Sequence, residues 1–161
     1  MPRALLAGLT LALSSCSLTG GGEATVEVRY TFRSAEAAEG LAFEAAVDAG
    51  GRTRALTRSD FQAVGDRQFD AAPLTVGDGP ARATCSVERG GVESAVSVRI
   101  DVEDRFLYRV SCAVSDADPI RLCFGCRGSE AAPLDPALGF SAGDSLFVVW
   151  GGDSVDRPVN Y

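Results

Sequence analysis

No lysine and no histidine occur among the 161 residues of the chain, and the initiator is its single methionine. Without histidine, Ser-His and Cys-His nucleophile pairs and imidazole metal sites are excluded. Without lysine, a Schiff base and the Walker phosphate loop are excluded. Isoleucine and asparagine are also rare. This bias is typical of a GC-rich genome, so we interpret it as genomic in origin.

The charge balance is acidic, with 15 basic residues against 22 acidic ones and a net charge of −7. An acidic surface repels phosphate backbones, so we expect no nucleic-acid partner. Hydrophobic residues make up 46% of the chain and charged residues 23%, which is typical of a globular protein. No apolar run reaches the roughly 20 residues that a membrane-spanning helix needs.

The N-terminus has the pattern of a secretory signal peptide. Arg3 precedes an apolar run at residues 4–13, and small residues then lead to Cys16. The sequence LSSC at residues 13–16 resembles the lipobox of bacterial lipoproteins. This resemblance implies that residues 1–15 are removed and that Cys16 carries lipid.

Several expectations about location follow from the lipoprotein resemblance. Mature bacterial lipoproteins carry several acyl chains, and stable membrane attachment needs more than one. Residues 16–23 then comprise the lipidated cysteine and a flexible tether, followed by a single domain at residues 24–161. The protein is expected to be exported and anchored to the cell membrane or outer membrane, facing the periplasm or the cell exterior. Ser17 favours the outer membrane where the host has one.

Alternating apolar and polar residues dominate the rest of the chain. The clearest alternation has Val96, Val98, Ile100 and Val102 on one face of a strand, and residues 24–33 and 106–114 follow the same period. We count seven or eight short strands separated by turn residues. This pattern predicts an all-β fold, an antiparallel β-sandwich with an immunoglobulin-like or related Greek-key topology. The Cys…Trp…Cys spacing of true immunoglobulin domains is missing.

Three segments need more specific interpretation. Residues 34–40 predict a helical turn that ends at Gly40, and residues 41–58 then predict a hairpin. The alternative is a single helix over residues 34–49. Pro73 predicts a sheet edge or a bulge within a strand at residues 69–76. Residues 127–142 are expected to form an ordered loop, and residues 146–150 the last strand.

Four cysteines remain besides Cys16. An even number in an exported chain predicts disulfides, and three pairings are possible. Cys85 and Cys112 both lie on the apolar phase of their strands, so we prefer a Cys85–Cys112 bond with a local Cys123–Cys126 bond. The first bond requires the two strands to belong to facing sheets.

The CFGC sequence at residues 123–126 is the strongest candidate for chemistry. Two thiols at this spacing resemble a redox pair, and Arg121 and Arg127 would favour a thiolate. A metal site built from cysteines is a further alternative, although it needs reduced thiols. No helix is predicted after Cys126, so a structural disulfide is preferred.

Acidic residues cluster in predicted loops, namely Asp116 and Asp118, Asp144, and Asp153 and Asp156. Solvated turns explain them most simply, since Asp favours turns. Calcium binding and acid-base hydrolysis are the functional alternatives, but no EF-hand spacing is present. Phe106, Tyr108 and Trp150 occupy strand positions and are expected in the core.

We therefore expect a lipid-anchored β-sandwich of the cell envelope that binds or supports another envelope component, a protein or a glycan, without catalysis. No cofactor and no metal are expected. The alternatives are a thiol-disulfide or metal-handling protein that uses CFGC, and a small acid-base hydrolase.

Overall fold

A computed structural model describes residues 22–121, 123 and 125–156. The predicted signal peptide, Cys16 and most of the predicted tether lie outside the described residues. Within them the chain forms a short helix α1 and eleven strands. Their bounds are α1 Ala35–Ala38, β1 Glu23–Phe32, β2 Ala42–Ala49, β3 Arg52–Leu56, β4 Phe61–Ala63, β5 Gln68–Ala71, β6 Leu74–Gly77, β7 Gly79–Arg89, β8 Val92–Val102, β9 Phe106–Ser115, β10 Cys126–Pro133 and β11 Ser145–Ser154.

The strands form two sheets that enclose one core. The large sheet has the order β10-β11-β9-β1-β5-β4, with β6 also paired to β1. The small sheet has the order β3-β2-β7-β8. The predicted all-β sandwich is confirmed, but the described residues contain more strands than the expected seven or eight. The additional strands are β10, at one edge of the large sheet, and the short pieces among β4, β5 and β6.

One pairing departs from the antiparallel prediction. β1 and β9 are parallel, from Thr25 opposite Leu107 to Phe32 opposite Val114, whereas the other pairs are antiparallel. The chain leaves the small sheet after β8 and enters the large one as β9, so β9 runs in the direction of β1. The strand order does not establish an immunoglobulin-like topology.

The hairpin prediction for residues 41–58 is confirmed, and the alternative single helix is wrong. Ser34 caps α1 by accepting a hydrogen bond from the Ala37 N–H, and Gly40 follows with φ of +68°. β2 and β3 then pair around the Gly50-Gly51 turn. Period-two burial of Phe43, Ala45 and Val47 against the core outweighs the helical preference of alanine and glutamate.

Two edge segments also differ in detail from the prediction. Pro73 separates β5 from β6, and both pair with β1, so the expected interruption is present. The loop predicted for residues 127–142 is wrong, because residues up to Pro133 form β10 along β11. Glycine, serine and alanine give β10 a weak strand signal, but an edge strand needs only backbone hydrogen bonds to its neighbour.

The core lies between the inner faces of the two sheets. Tyr30, Tyr108 and Phe43 are fully buried there, as are Leu138 and Leu146. Phe106 and Trp150 are half-buried and pack against the core, as expected for strand positions. No helix of the described residues is long and apolar enough to cross a membrane.

Candidate binding site

The Cys85–Cys112 disulfide joins the two sheets. Cys85 lies on β7 of the small sheet and Cys112 on β9 of the large sheet, with their Cα atoms 5.8 Å apart. Both residues are fully buried. The pairing preferred from the sequence is therefore the one in the structure, and its two strands do lie in facing sheets.

The Cys123–Cys126 disulfide lies at the surface of the large sheet. Its Cα atoms are 5.7 Å apart, and Cys123 is exposed. Pro119–Arg121 forms a short 3-10 helix before it, and β10 starts at Cys126 itself. The motif therefore precedes a strand, whereas redox enzymes with this spacing place it at the start of a helix.

A groove crosses the outer face of the large sheet beside this disulfide. Its floor consists of Arg29 on β1 and of Arg109 and Ser111 on β9, which line two adjoining clefts of about 250 and 200 Å³. Pro73 bounds one side, and the Cys123–Cys126 segment bounds the other. We call this surface the outer groove.

Strand register explains why these side chains meet. Asp70, Arg29, Ser111 and Val149 lie opposite one another across β5, β1, β9 and β11. The row of Glu27, Arg109 and Gly151 follows beside it. These residues occupy the phase of their strands opposite to the core, so the alternation that buries Val28 and Val110 turns Arg29 and Arg109 outward, whereas Val149 is buried on the outer face.

Gly151 allows the disulfide segment to lie against the sheet. A Cβ atom at this position would be 2.7 Å from the Gly125 carbonyl oxygen, which is too close for any residue with a side chain. Gly125 and Cys126 therefore approach the sheet where its residue is a glycine. This close approach forms one wall of the outer groove.

Ion pairs hold the two arginines in the groove. Arg29 Nε and Nη2 donate to the two Asp70 carboxylate oxygens at 2.7 and 3.0 Å, a bidentate arrangement. The Asp70 hydrogen bond raises the pKa of Arg29 despite its partial burial. Arg109 Nε donates to Glu27 Oε2 at 3.3 Å. The groove thus presents donors and acceptors side by side, which suits a polar partner with hydrogen-bonding groups of both kinds.

A second concavity of about 380 Å³ lies between α1 and residues 139–144. Asp144 is buried there, and its Oδ2 accepts a hydrogen bond from the Ser141 N–H at 3.0 Å. Arg33 Nη1 lies 3.8 Å from Asp144 Oδ1 and 3.4 Å from Asp116 Oδ2. One arginine is therefore shared between two of the acidic loop residues identified in the sequence.

The remaining acidic loop residues are dispersed. Asp118 accepts a hydrogen bond from the Ile120 N–H, Asp153 lines the outer groove, and Asp156 pairs with Arg105 at 2.8 Å. Across the part of the chain that the structure describes, no three metal-ligating side chains come together. The structure therefore does not gather these residues into one calcium site.

Sequence reasoning missed the outer groove. Glu27 and Arg29 are recognisable as the polar phase of β1, but their partners Arg109 and Asp70 come from distant strands. The parallel neighbour of β1 was not predicted, so the charged rows could not be assembled from the sequence.

The chain matches no protein-family model, no curated protein matches its sequence, and no solved structure matches its fold. Functional inference therefore depends on the residues of this chain alone.

Proposed function

We propose that the protein is a lipid-anchored, non-catalytic binding module of a bacterial cell envelope and that the outer groove is its binding surface. The lipobox-like sequence before Cys16 supports the anchor, and two disulfides fit an oxidising compartment. The outer groove is the observation that supports binding most directly. The floor of the groove carries arginines that pair with carboxylates. It belongs to the large sheet, which the buried Cys85–Cys112 disulfide links to the small sheet.

The groove favours a polar envelope component, and an envelope glycan that carries carboxylates is the partner we propose. Arginine binds carboxylates well, and Asp70 and Glu27 can accept hydrogen bonds from hydroxyl and amine groups. A bound carboxylate would share the guanidinium groups of Arg29 and Arg109 with Asp70 and Glu27, with which they already pair. Pre-organised side chains lose little conformational entropy on binding. Because charged groups of the groove would attract oppositely charged groups of the glycan, added salt should weaken this binding.

Co-sedimentation of the full lipidated protein with isolated cell-wall sacculi tests this proposal. We expect the double variant Arg29→Gln, Arg109→Gln to bind the sacculi at least roughly tenfold more weakly, since a charge-assisted hydrogen bond contributes about 1.5–3 kcal/mol. Arg99→Gln is the matched control, because Arg99 is 72% exposed on the small sheet. Equal binding by the double variant and the control would contradict the assignment of the groove.

The two alternatives from the sequence stay predictions. A thiol-disulfide function would use the exposed Cys123–Cys126 bond beside Arg109, and a hydrolase would use the concavity lined by Asp144 and Glu36. The strand that begins at Cys126 weighs against the first. The Arg33 and Ser141 contacts, which already engage the Asp144 carboxylate, weigh against the second.

A further inference from the structure

A different surface lies where the tether joins the sandwich. Gly22 and Glu23 line a cleft of about 360 Å³ together with Arg52 and Arg54 of β3 and the end of β6. We call it the anchor-side cleft. It is separate from the outer groove, and its residues come from both sheets.

The position of β3 explains why two arginines face this cleft. Arg54 pairs with Val47 and Arg52 with Ala49, so both lie on the phase of the sheet that faces the core elsewhere. However, β3 is an edge strand, and both arginines are exposed. Among the described residues, neither forms an ion pair or a side-chain hydrogen bond. The cleft lining thus holds two guanidinium groups and the Glu23 carboxylate, and the Asp104 carboxylate adjoins it, where its Oδ1 accepts a hydrogen bond from the Glu23 N–H at 2.9 Å.

The length of the tether limits how far this cleft can lie from the anchor. Five residues lie between Cys16 and Gly22, and the six Cα–Cα steps of a fully extended chain span about 20 Å. The opposite end of β1, at Phe32, lies about 30 Å farther along the strand. An anchor at Cys16 therefore holds the anchor-side cleft within about 20 Å of the membrane surface, whereas the other end of the sandwich can lie up to about 50 Å away.

We propose that the anchor-side cleft binds the phosphate headgroup of an anionic phospholipid. The inference depends on the proposed lipid anchor at Cys16. Guanidinium groups match phosphate oxygens in geometry and charge, and basic residues beside an anchor strengthen attachment to anionic leaflets. The net charge of −7 disfavours contact of the chain as a whole with such a leaflet, so contact through Arg52 and Arg54 would also set the orientation of the domain.

Arginine labelling of the full lipidated protein in vesicles tests the proposal. One preparation contains phosphatidylcholine alone, and the other also contains phosphatidylglycerol. Phenylglyoxal modifies accessible guanidinium groups, and mass spectrometry gives the labelling rate at each arginine. Arg67 is the internal control, because it lies beside Phe32 at the far end of β1 and is 61% exposed.

We expect Arg52 and Arg54 to be labelled several-fold more slowly in the anionic vesicles, with Arg67 unchanged and the protection lost in high salt. Equal rates at Arg52 and Arg54 in both preparations, on protein that floats with the vesicles, would overturn the headgroup proposal alone. Protection in phosphatidylcholine vesicles on addition of inorganic phosphate would overturn it as well, because the cleft would then bind a free anion. Protein that floats with neither preparation would contradict the anchor and this proposal together.

Discussion

The Cys85–Cys112 disulfide links β7 and β9, which are interior strands of opposite sheets. Hydrogen bonds of Tyr30 link the two sheets beside this disulfide. Tyr30 lies opposite Cys112 in the register of β1 and β9. Its hydroxyl accepts a hydrogen bond from the Ser86 N–H at 3.0 Å and contacts the carbonyl oxygens of Ser86 and Glu44. A covalent and a polar cross-link therefore stand side by side in the core.

Removal of the buried disulfide is expected to be costly. The double variant Cys85→Ala, Cys112→Ala should lower the free energy of unfolding by about 3–4 kcal/mol, because the bond closes a loop with a separation of 27 residues. Urea denaturation measures the loss. The double variant Cys123→Ala, Cys126→Ala is the control, and it should lose less than about 2 kcal/mol because its loop is short. A larger loss in the control would refute this account of the two bonds.

The two disulfides should also differ in reduction rate. Cys123 is exposed, whereas Cys85 and Cys112 are fully buried, so a thiol reagent reaches the local bond first. Under native conditions, dithiothreitol should reduce Cys123–Cys126 while Cys85–Cys112 stays oxidised. Differential alkylation followed by mass spectrometry distinguishes the two. Simultaneous reduction would show that the buried bond opens without global unfolding.

Tyr30→Phe tests the polar cross-link. Loss of the hydroxyl removes its hydrogen bond with the part-buried Ser86 N–H, and we expect a loss of about 1–3 kcal/mol in stability. Tyr108→Phe is the comparison, since the Tyr108 hydroxyl similarly accepts from the Glu103 N–H at 2.8 Å but lies nearer the turn between β8 and β9. A change within experimental error in Tyr30→Phe would mean that the hydrogen bonds at Tyr30 do not stabilise the fold.

Stability should also depend on pH in the alkaline range. Burial raises the pKa of Tyr30 above its usual range, while in the unfolded chain the phenol titrates near about 10. Above about pH 10, the unfolded state releases the phenol proton, whereas the folded state retains it. The free energy of unfolding therefore falls as the pH rises above about 10, and Tyr30 does not change it at lower pH. Urea denaturation at several pH values should show a steeper alkaline loss in the wild type than in Tyr30→Phe. Parallel curves would contradict the assignment to Tyr30.

Gly151→Ala tests how the outer groove is built. The added methyl group would collide with the Gly125 carbonyl oxygen, so the disulfide segment must move away from the sheet. We expect a loss of about 1–3 kcal/mol in stability, as for overpacking, and weaker binding to cell-wall sacculi. Gly77→Ala is the matched control, because a Cβ atom there meets nothing within 4 Å. Equal behaviour of the two variants would disprove the role of Gly151.

Local alternation was enough to predict much of this fold. The strands that contain Phe43, Cys85 and Ile100 each bury one phase, and period two is visible without knowledge of the neighbours. β10 was missed because its small residues carry no such signal, and its pairing with β11 is made by the backbone. The parallel alignment of β1 with β9 depends on where the chain changes sheets. No local pattern encodes that step, so the outer groove could not be predicted either.

The most direct test of the central claim is the mass of the N-terminal fragment of the protein isolated from its host's membrane fraction. The proposed anchor predicts a chain that begins at Cys16, lacks residues 1–15 and carries lipid on the cysteine. The variant Cys16→Ser should then carry no lipid and should be absent from the membrane fraction. A wild-type chain that begins elsewhere, or that has an unmodified Cys16, would contradict the account.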